Sequence, residues 1–307
     1  VKIVVVGAGG LGGYFGARLD AGGNDVTFIA RGKHLEAMLR DGLRVQSGAT
    51  PLLVRPVQAT DRTERVGPVD LVIVAVKLWD TEIAAESVRP AIGPQTAVVS
   101  FQNGVDAAER IAGVLGHEHV LGGVGYVAAT IEVPGVIRHT GTMQRLVFGE
   151  LNGKLSPRVD AFAAACAHAG IDCEASSDIR RVIWEKFVFI VGLSAVTSLF
   201  RRSIGLIRAH ARSRNLLLEI MREAVAVGRT SGVALDPSFA EQRVAFVDTL
   251  PESMTTSMYT DLQRGNRLEL PWLSGKVASL GVQLGVPTPA NHFVTDALSL
   301  DVNGRIR

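Results

Sequence analysis

A single turn near the start of the chain does most to limit what it can fold into. The apolar run Ile3-Val4-Val5-Val6 breaks into Gly7-Ala8-Gly9-Gly10-Leu11-Gly12, and helical sequence follows at 15–21 before Gly22-Gly23. A G-x-G-x-x-G turn between a strand and a helix is a dinucleotide-binding signature. The first glycine permits the tight turn, the second lets backbone approach a pyrophosphate, and the third lets helix and strand pack closely, so that helix N–H groups face the phosphates. Alone the motif is weak; the strand before it and the helix after it supply its context.

The following segments keep that alternation. Strand-like runs at 25–30, 70–76, 97–101 and 120–129 are interleaved with helical sequence, the rhythm of an α/β fold with a Rossmann-type, doubly wound parallel sheet. Residues 135–139 and 144–148 are expected to form a hairpin around Thr140-Gly141-Thr142 and to finish the sheet on an edge. Pro157 then opens an alanine-rich helix to about His168, and 171–174 reads as a last strand. From Ser177, which can cap the next helix, the pattern is helical: 178–200, 213–230, 237–249, 254–264, 271–281 and 290–300. A chain of 307 residues suits two domains. We expect a nucleotide-binding domain at 1–176 and an all-helical substrate and catalytic domain at 177–307.

A formal charge of +2 with scattered basic residues argues against nucleic acid as the partner and for a small molecule. The two cysteines, Cys166 and Cys173, suit a reducing compartment and are too few for a metal cage, so no metal site is expected. The opening apolar run ends in glycines and does not read as a signal peptide, which points to the cytoplasm. The apolar stretch 187–200 falls short of the ~20 residues that span a bilayer and reads as a buried helix. Apolar stretches in the helical half leave room for a homodimer.

The second strand ends at Arg31, where NAD-specific folds place an acid on the ribose 2′-hydroxyl. A guanidinium there suits a 2′-phosphate, and Lys33 and His34 lie close enough to add charge, so NADPH is favoured over NADH. Lys77 and Asn103 also follow strands, the position at which open α/β sheets bind ligands; read singly, each is a solvated lysine or a routine turn asparagine. Lys186 stands among Ile183, Trp184, Phe187, Val188 and Phe189. Burial lowers a lysine's pKa and suits it to proton transfer, although a lysine can also extend its stem to water. Ser257 and Asp261 lie one helical turn apart, and Glu269, just before Pro271, reads by itself as a charge at a helix N-terminus.

Together these segments resemble the ketopantoate reductase (2-dehydropantoate 2-reductase) family over essentially the whole chain. The matching pieces are Val6 to Gly12, Ile29-Ala30-Arg31, Val76-Lys77-Leu78-Trp79, Gln102-Asn103-Gly104-Val105, Trp184-Glu185-Lys186, Thr256-Ser257-Met258 with Asp261 and Glu269, and Gly285 to Asn291. The resemblance implies NADPH-dependent reduction of a small 2-oxo acid in a cleft between a Rossmann domain and a helical one. It implies that Gly7, Ala8, Gly9, Gly10, Leu11, Gly12 and Arg31 hold the cofactor and that Lys77 and Asn103 line its junction with substrate. Lys186 would protonate the carbonyl oxygen, Glu269 would hold a substrate hydroxyl and orient the lysine, and Ser257 would bind the substrate carboxylate.

The chain departs from that pattern at Ile190 and Ser194, where characterised members carry asparagines one and two helical turns after the lysine. Isoleucine cannot donate a hydrogen bond, so a more apolar pocket is expected and a substrate less hydroxylated than ketopantoate becomes a candidate. Two alternatives stay open: an NADP(H)-binding sensor on the same fold, and a dehydrogenase of the 3-hydroxyacid type.

Overall fold

The computed structural model describes residues 1–48 and 51–304. The chain divides into two compact units, Val1–Ile179 and Arg180–Arg307.

The first unit contains, in chain order, β1 (Lys2–Val6), α1 (Gly10–Ala21), β2 (Asp25–Ile29), α2 (Gly32–Asp41), β3 (Leu43–Gln46), β4 (Leu52–Val54), β5 (Gln58–Thr60), β6 (Val69–Val74), α3 (Thr81–Ser87), β7 (Ile92–Ser100), α4 (Ala107–Leu115), β8 (Val120–Val133), β9 (Val136–Glu150), α5 (Pro157–His168) and β10 (Asp172–Ala175). The strands form one sheet in the order β4-β3-β9-β8-β7-β6-β1-β2-β5, with β10 also paired to β9. From β5 through β2, β1, β6 and β7 to β8 every pairing is parallel. This is the expected Rossmann-like doubly wound arrangement, and β1 shows why it forms. Ile3 and Val5 pack into one core with Tyr14, Phe15 and Leu19 of α1, whereas Val4 and Val6 pack into a second with Ala84, Ala85, Ile111 and Ala112 of α3 and α4. A strand apolar on both faces needs helices on both sides of its sheet.

The expected hairpin at 135–148 is corrected. Residues 136–150 are one continuous strand, and the hairpin lies before it, turning at Pro134-Gly135 between β8 and β9. The Thr140-Gly141-Thr142 segment is a bulge: pairing jumps from Val127 opposite Gln144 to Ala129 opposite His139. His139 spans it, Nε2 lying 3.0 Å from the Met143 carbonyl and Nδ1 2.7 Å from Ser47 Oγ. Nor does β9 end the sheet, because β3 and β10 pair with successive parts of its far side. The short strands β3, β4 and β5 carried no periodic signal in the sequence.

The second unit is helical: α6 (Ile179–Phe200, whose first residue falls in unit 1), α7 (Ile204–Ala209), α8 (Ala211–Thr230), α9 (Phe239–Val247), α10 (Ser257–Arg264), α11 (Ser274–Leu284) and α12 (Pro289–Ala297). Ser176, not Ser177, serves the start of α6, its Oγ accepting from the Asp178 N–H at 3.1 Å. Helix α6 has 22 residues and, by length and composition alone, is the one described helix that could cross a membrane. Its segment from Val191 to Ser198 is buried within the protein, which accounts for its apolar character. Helix α7 went unread in the sequence, and the segment expected to be helical from Pro271 begins as a 3-10 turn, Leu270–Trp272.

Candidate active site

In the first unit, four neighbouring parallel strands each deliver a candidate residue at their C-terminal ends. Arg31 follows β2, the glycine-rich loop follows β1, Lys77 follows β6 and Asn103 follows β7. Backbone hydrogen bonds carry the ladder past the strand ends and fix these loops side by side: Gly7 N–H to Ile29 O at 3.1 Å, Ala75 N–H to Val6 O at 2.8 Å, and Phe101 N–H to Val74 O at 3.2 Å.

Each glycine of the loop does a different job. Gly7 has φ +99°, a conformation closed to most side chains. A Cβ on Gly12 would lie 2.1 Å from the Gly7 carbonyl oxygen, so only glycine lets α1 start this close to β1. A Cβ on Gly9, by contrast, meets nothing within 4 Å. Gly10, Leu11 and Gly12 form the first turn of α1, which has no side-chain cap and no acidic residue in that turn. Open backbone at Gly9 and an uncapped helix start are what a pyrophosphate requires, so these residues fit a dinucleotide.

Arg31 is exposed at the N-terminus of α2, and Lys33 is exposed beside it. His34 departs from the expected cationic role. Its Nε2 lies 2.8 Å from the Ala8 carbonyl and its Nδ1 accepts from the Gly135 N–H at 3.0 Å. Burial pulls its pKa below the ordinary 6.5, outweighing the Ala8 hydrogen bond. His34 is therefore a neutral tie at neutral pH and adds no charge for a phosphate.

Lys77 is half-buried, with Nζ 5.7 Å from the centre of the Trp79 ring. Asn103 is half-buried in the bend before Gly104, whose φ is +95°. Between their loops lies Gln102, to which the sequence assigned no role. Its Nε2 donates to the Val76 carbonyl at 3.0 Å and to Thr81 Oγ1 at 2.9 Å, while its Oε1 accepts from Ser100 Oγ at 2.9 Å. A glutamine after a strand carries no signal of this clamp.

In the second unit, Lys186 and Glu269 meet electrostatically. Burial draws the Lys186 ammonium down from 10.5 to about 8, and the Glu269 carboxylate acts in the opposite direction. Glu269 is 6% exposed and follows buried Leu268 directly before the 3-10 turn. Along α6 from Lys186, Ile190 is half-buried and Ser194 is buried, four and eight residues on. Ser257 is exposed as the first residue of α10. Thr256 sets that helix start: its Oγ1 accepts from the Tyr259 N–H at 3.3 Å and lies 3.2 Å from Thr197 Oγ1 on α6. Neither threonine carried a sequence signal for this link. Asp261 accepts from Asn266 Nδ2 at 3.1 Å, closing the end of α10.

The Gly285 to Asn291 segment has a structural anchor. Glu223 of α8 accepts from the backbone N–H of Ala290 and of Asn291, at 2.7 and 2.9 Å, and from Asn291 Nδ2 at 2.7 Å. A half-buried carboxylate thus caps the start of α12. Among the described residues, no group of three or more His, Cys, Asp or Glu side chains could hold a metal ion.

Comparison with known proteins matches residues 3–153 to the ketopantoate reductase PanE/ApbA model and 178–301 to the model of its C-terminal part. A 2-dehydropantoate 2-reductase of Mesorhizobium japonicum is 33% identical, covering 94% of each chain. The uncharacterized oxidoreductase YkpB of Bacillus subtilis strain 168 is 32% identical over 96% of each. The crystal structure of 2-dehydropantoate 2-reductase from Geobacter metallireducens GS-15 has a TM-score of 0.91 at 30% identity, covering 98% of this chain and 99% of that one. A D-mandelate dehydrogenase solved with NADH shares the fold, with a TM-score of 0.90 at 21% identity over 98% of each chain. The chain belongs to the ketopantoate reductase family and is an oxidoreductase of that pyridine-nucleotide-dependent kind.

Proposed function

We propose that this chain uses NADPH to reduce a small 2-oxo acid to the 2-hydroxy acid, the substrate being 2-dehydropantoate or a less hydroxylated relative. The observation that carries this reading is Lys186, a desolvated ammonium with a pKa of about 8 and a carboxylate, Glu269, acting on it. The names of the Mesorhizobium and Geobacter relatives agree with the reaction class.

The backbone of Gly9 and the N–H groups of Gly10, Leu11 and Gly12 would hold the pyrophosphate, and Arg31 the 2′-phosphate. When bound there, the nicotinamide would supply hydride chemistry for the carbonyl carbon. As negative charge builds on the carbonyl oxygen, the Lys186 ammonium donates a proton to it. A pKa near 8 keeps the lysine mostly protonated at neutral pH, yet makes it a better acid than an ordinary lysine. Glu269 resists its deprotonation and can accept a hydrogen bond from a substrate hydroxyl. Ser257, on the N-terminal turn of α10, offers a hydroxyl and a helix end to the substrate carboxylate. Ile190 makes the surface next to the lysine apolar.

The test is NADPH consumption across a panel of 2-oxo acids that includes ketopantoate, run with the unaltered chain and with Lys186→Ala. Turnover should fall by roughly 10²–10⁴-fold in the variant with NADPH binding retained. A chain that binds NADPH and reduces none of the acids would instead be a nucleotide sensor.

A further inference from the structure

We propose that His34 is a positioning residue for the cofactor: it fixes the Ala8–Gly9 peptide, and so aims the glycine-rich loop at the dinucleotide phosphates. The inference rests on the nucleotide-binding reading above, and nothing in the family comparison assigns this side chain a role.

Its two hydrogen bonds determine its state. The Gly135 N–H points at Nδ1, at 3.0 Å, so Nδ1 must be the unprotonated nitrogen. Nε2 then carries the ring proton and donates it to the Ala8 carbonyl at 2.8 Å. No other protonation state satisfies both contacts. Because C=O and N–H of a trans peptide point in opposite directions, holding the Ala8 carbonyl toward the ring directs the Gly9 N–H away from it. Gly9 is also the residue whose Cβ position is open.

The ring therefore joins three elements, namely α2, the glycine-rich loop and the β8–β9 turn. Loop and hairpin are already in close contact, since a Cβ on Gly10 would fall 2.0 Å from the Ala129 carbonyl oxygen and one on Gly13 would fall 2.9 Å from the Ile137 side chain. His34 adds the polar tie that sets the loop's orientation within that contact.

A second proton would break the arrangement. With Nδ1 protonated, two N–H groups would face each other at Gly135, and the ring would have to turn or withdraw, releasing Ala8. On α2, Arg31, Lys33 and Glu36 are exposed to solvent. On the hairpin, Glu132 and Arg138 are paired with each other. The glycine-rich loop itself carries no ionisable side chain. Burial, the main influence on His34, keeps it neutral until the pH falls below the ordinary histidine value.

The experiment measures NADH affinity by calorimetry, without substrate, at about pH 7.5 and about pH 5.0; NADH is the probe because it lacks the 2′-phosphate, which itself titrates near pH 6 as phosphomonoesters do. The unaltered chain should bind more weakly at the lower pH, by up to about tenfold where the ring is fully protonated, the loss of a hydrogen bond of ordinary strength. His34→Gln retains a donor that can reach Ala8 and has no ionisable ring, so it should bind nearly as tightly at both pH values. His34→Asn can still accept from Gly135 but is too short to reach Ala8, and should bind weakly at both, with a melting temperature close to that of His34→Gln. A flat pH profile in the unaltered chain, or full affinity in His34→Asn, would overturn the proposal. No NADH or NADPH binding by the unaltered chain at pH 7.5 would overturn the nucleotide reading itself and this proposal with it.

Discussion

Replacing Glu269 with glutamine should move the alkaline limb of the reductase's pH profile toward acid. The substitution keeps the shape of a side chain that is 6% exposed and removes its charge. Lys186 has a pKa of about 8 as the balance of burial, which lowers it, and Glu269, which raises it. A carboxylate acting on a neighbouring ammonium holds its pKa up by about one to three pH units, so the variant's lysine should titrate at about 7 or below. In the proposed mechanism reduction requires the protonated lysine, so activity should be lost as pH rises through this pKa. At pH 7 the unaltered enzyme keeps roughly nine lysines in ten protonated, whereas the variant keeps about half or fewer, a fall in kcat from protonation alone of about twofold if the pKa drops by about one pH unit and about tenfold if it drops by about two. That part of the loss should disappear at about pH 6 or lower if the pKa stays near 7. Initial rates of NADPH oxidation at saturating substrate, from about pH 5.5 to 9.5, give both limbs. An alkaline limb that stays in place or moves upward would refute the coupling between these side chains. A rise in KM at every pH is a separate effect, and would report the proposed contact between Glu269 and a substrate hydroxyl.

Arg31→Ala should raise the Michaelis constant for NADPH by tenfold or more, from a charge-assisted contact of about 1.5–3 kcal/mol, and leave that for NADH nearly unchanged; an unaltered ratio of the two constants disproves the assignment. Gly9→Ala and Gly12→Ala should behave oppositely, because the added Cβ meets open space at 9 and backbone oxygen at 12. The first should keep its melting temperature and lose nucleotide affinity, and the second should lose stability; thermal unfolding with a binding titration separates them. Ile190→Asn should shift kcat/KM toward ketopantoate relative to less hydroxylated 2-oxo acids, by about 1–3 kcal/mol of recovered hydrogen bonding. Ser194 is 2% exposed, so Ser194→Asn should lower the melting temperature through overpacking of about 1–3 kcal/mol.

Local chemistry written in consecutive residues was legible before any coordinates. Gly7, Gly9 and Gly12 announce their turn because its backbone geometry is set within six residues, and Arg31 is recognisable because it directly follows the second strand. The alternating strands and the helical second half were readable for the same reason: burial on both faces of β1 or along α6 imposes a period that neighbouring residues display. Contacts between residues far apart in the chain leave no such mark. The placement of β9 inside the sheet depends on partners at 43–46 and 172–175, and the bulge after His139 is visible only once Gln144 is seen opposite Val127. Gln102, the Thr197–Thr256 pair and Glu223 are ordinary polar residues in sequence, and their roles exist only in the geometry that brings donors to them. Lys186 shows the division most clearly. Its apolar neighbours in sequence left a buried proton donor and a solvated lysine equally open. The fold decides only that the lysine is desolvated beside a carboxylate, because desolvation and the charge of Glu269, far along the chain, act through space and not along the sequence.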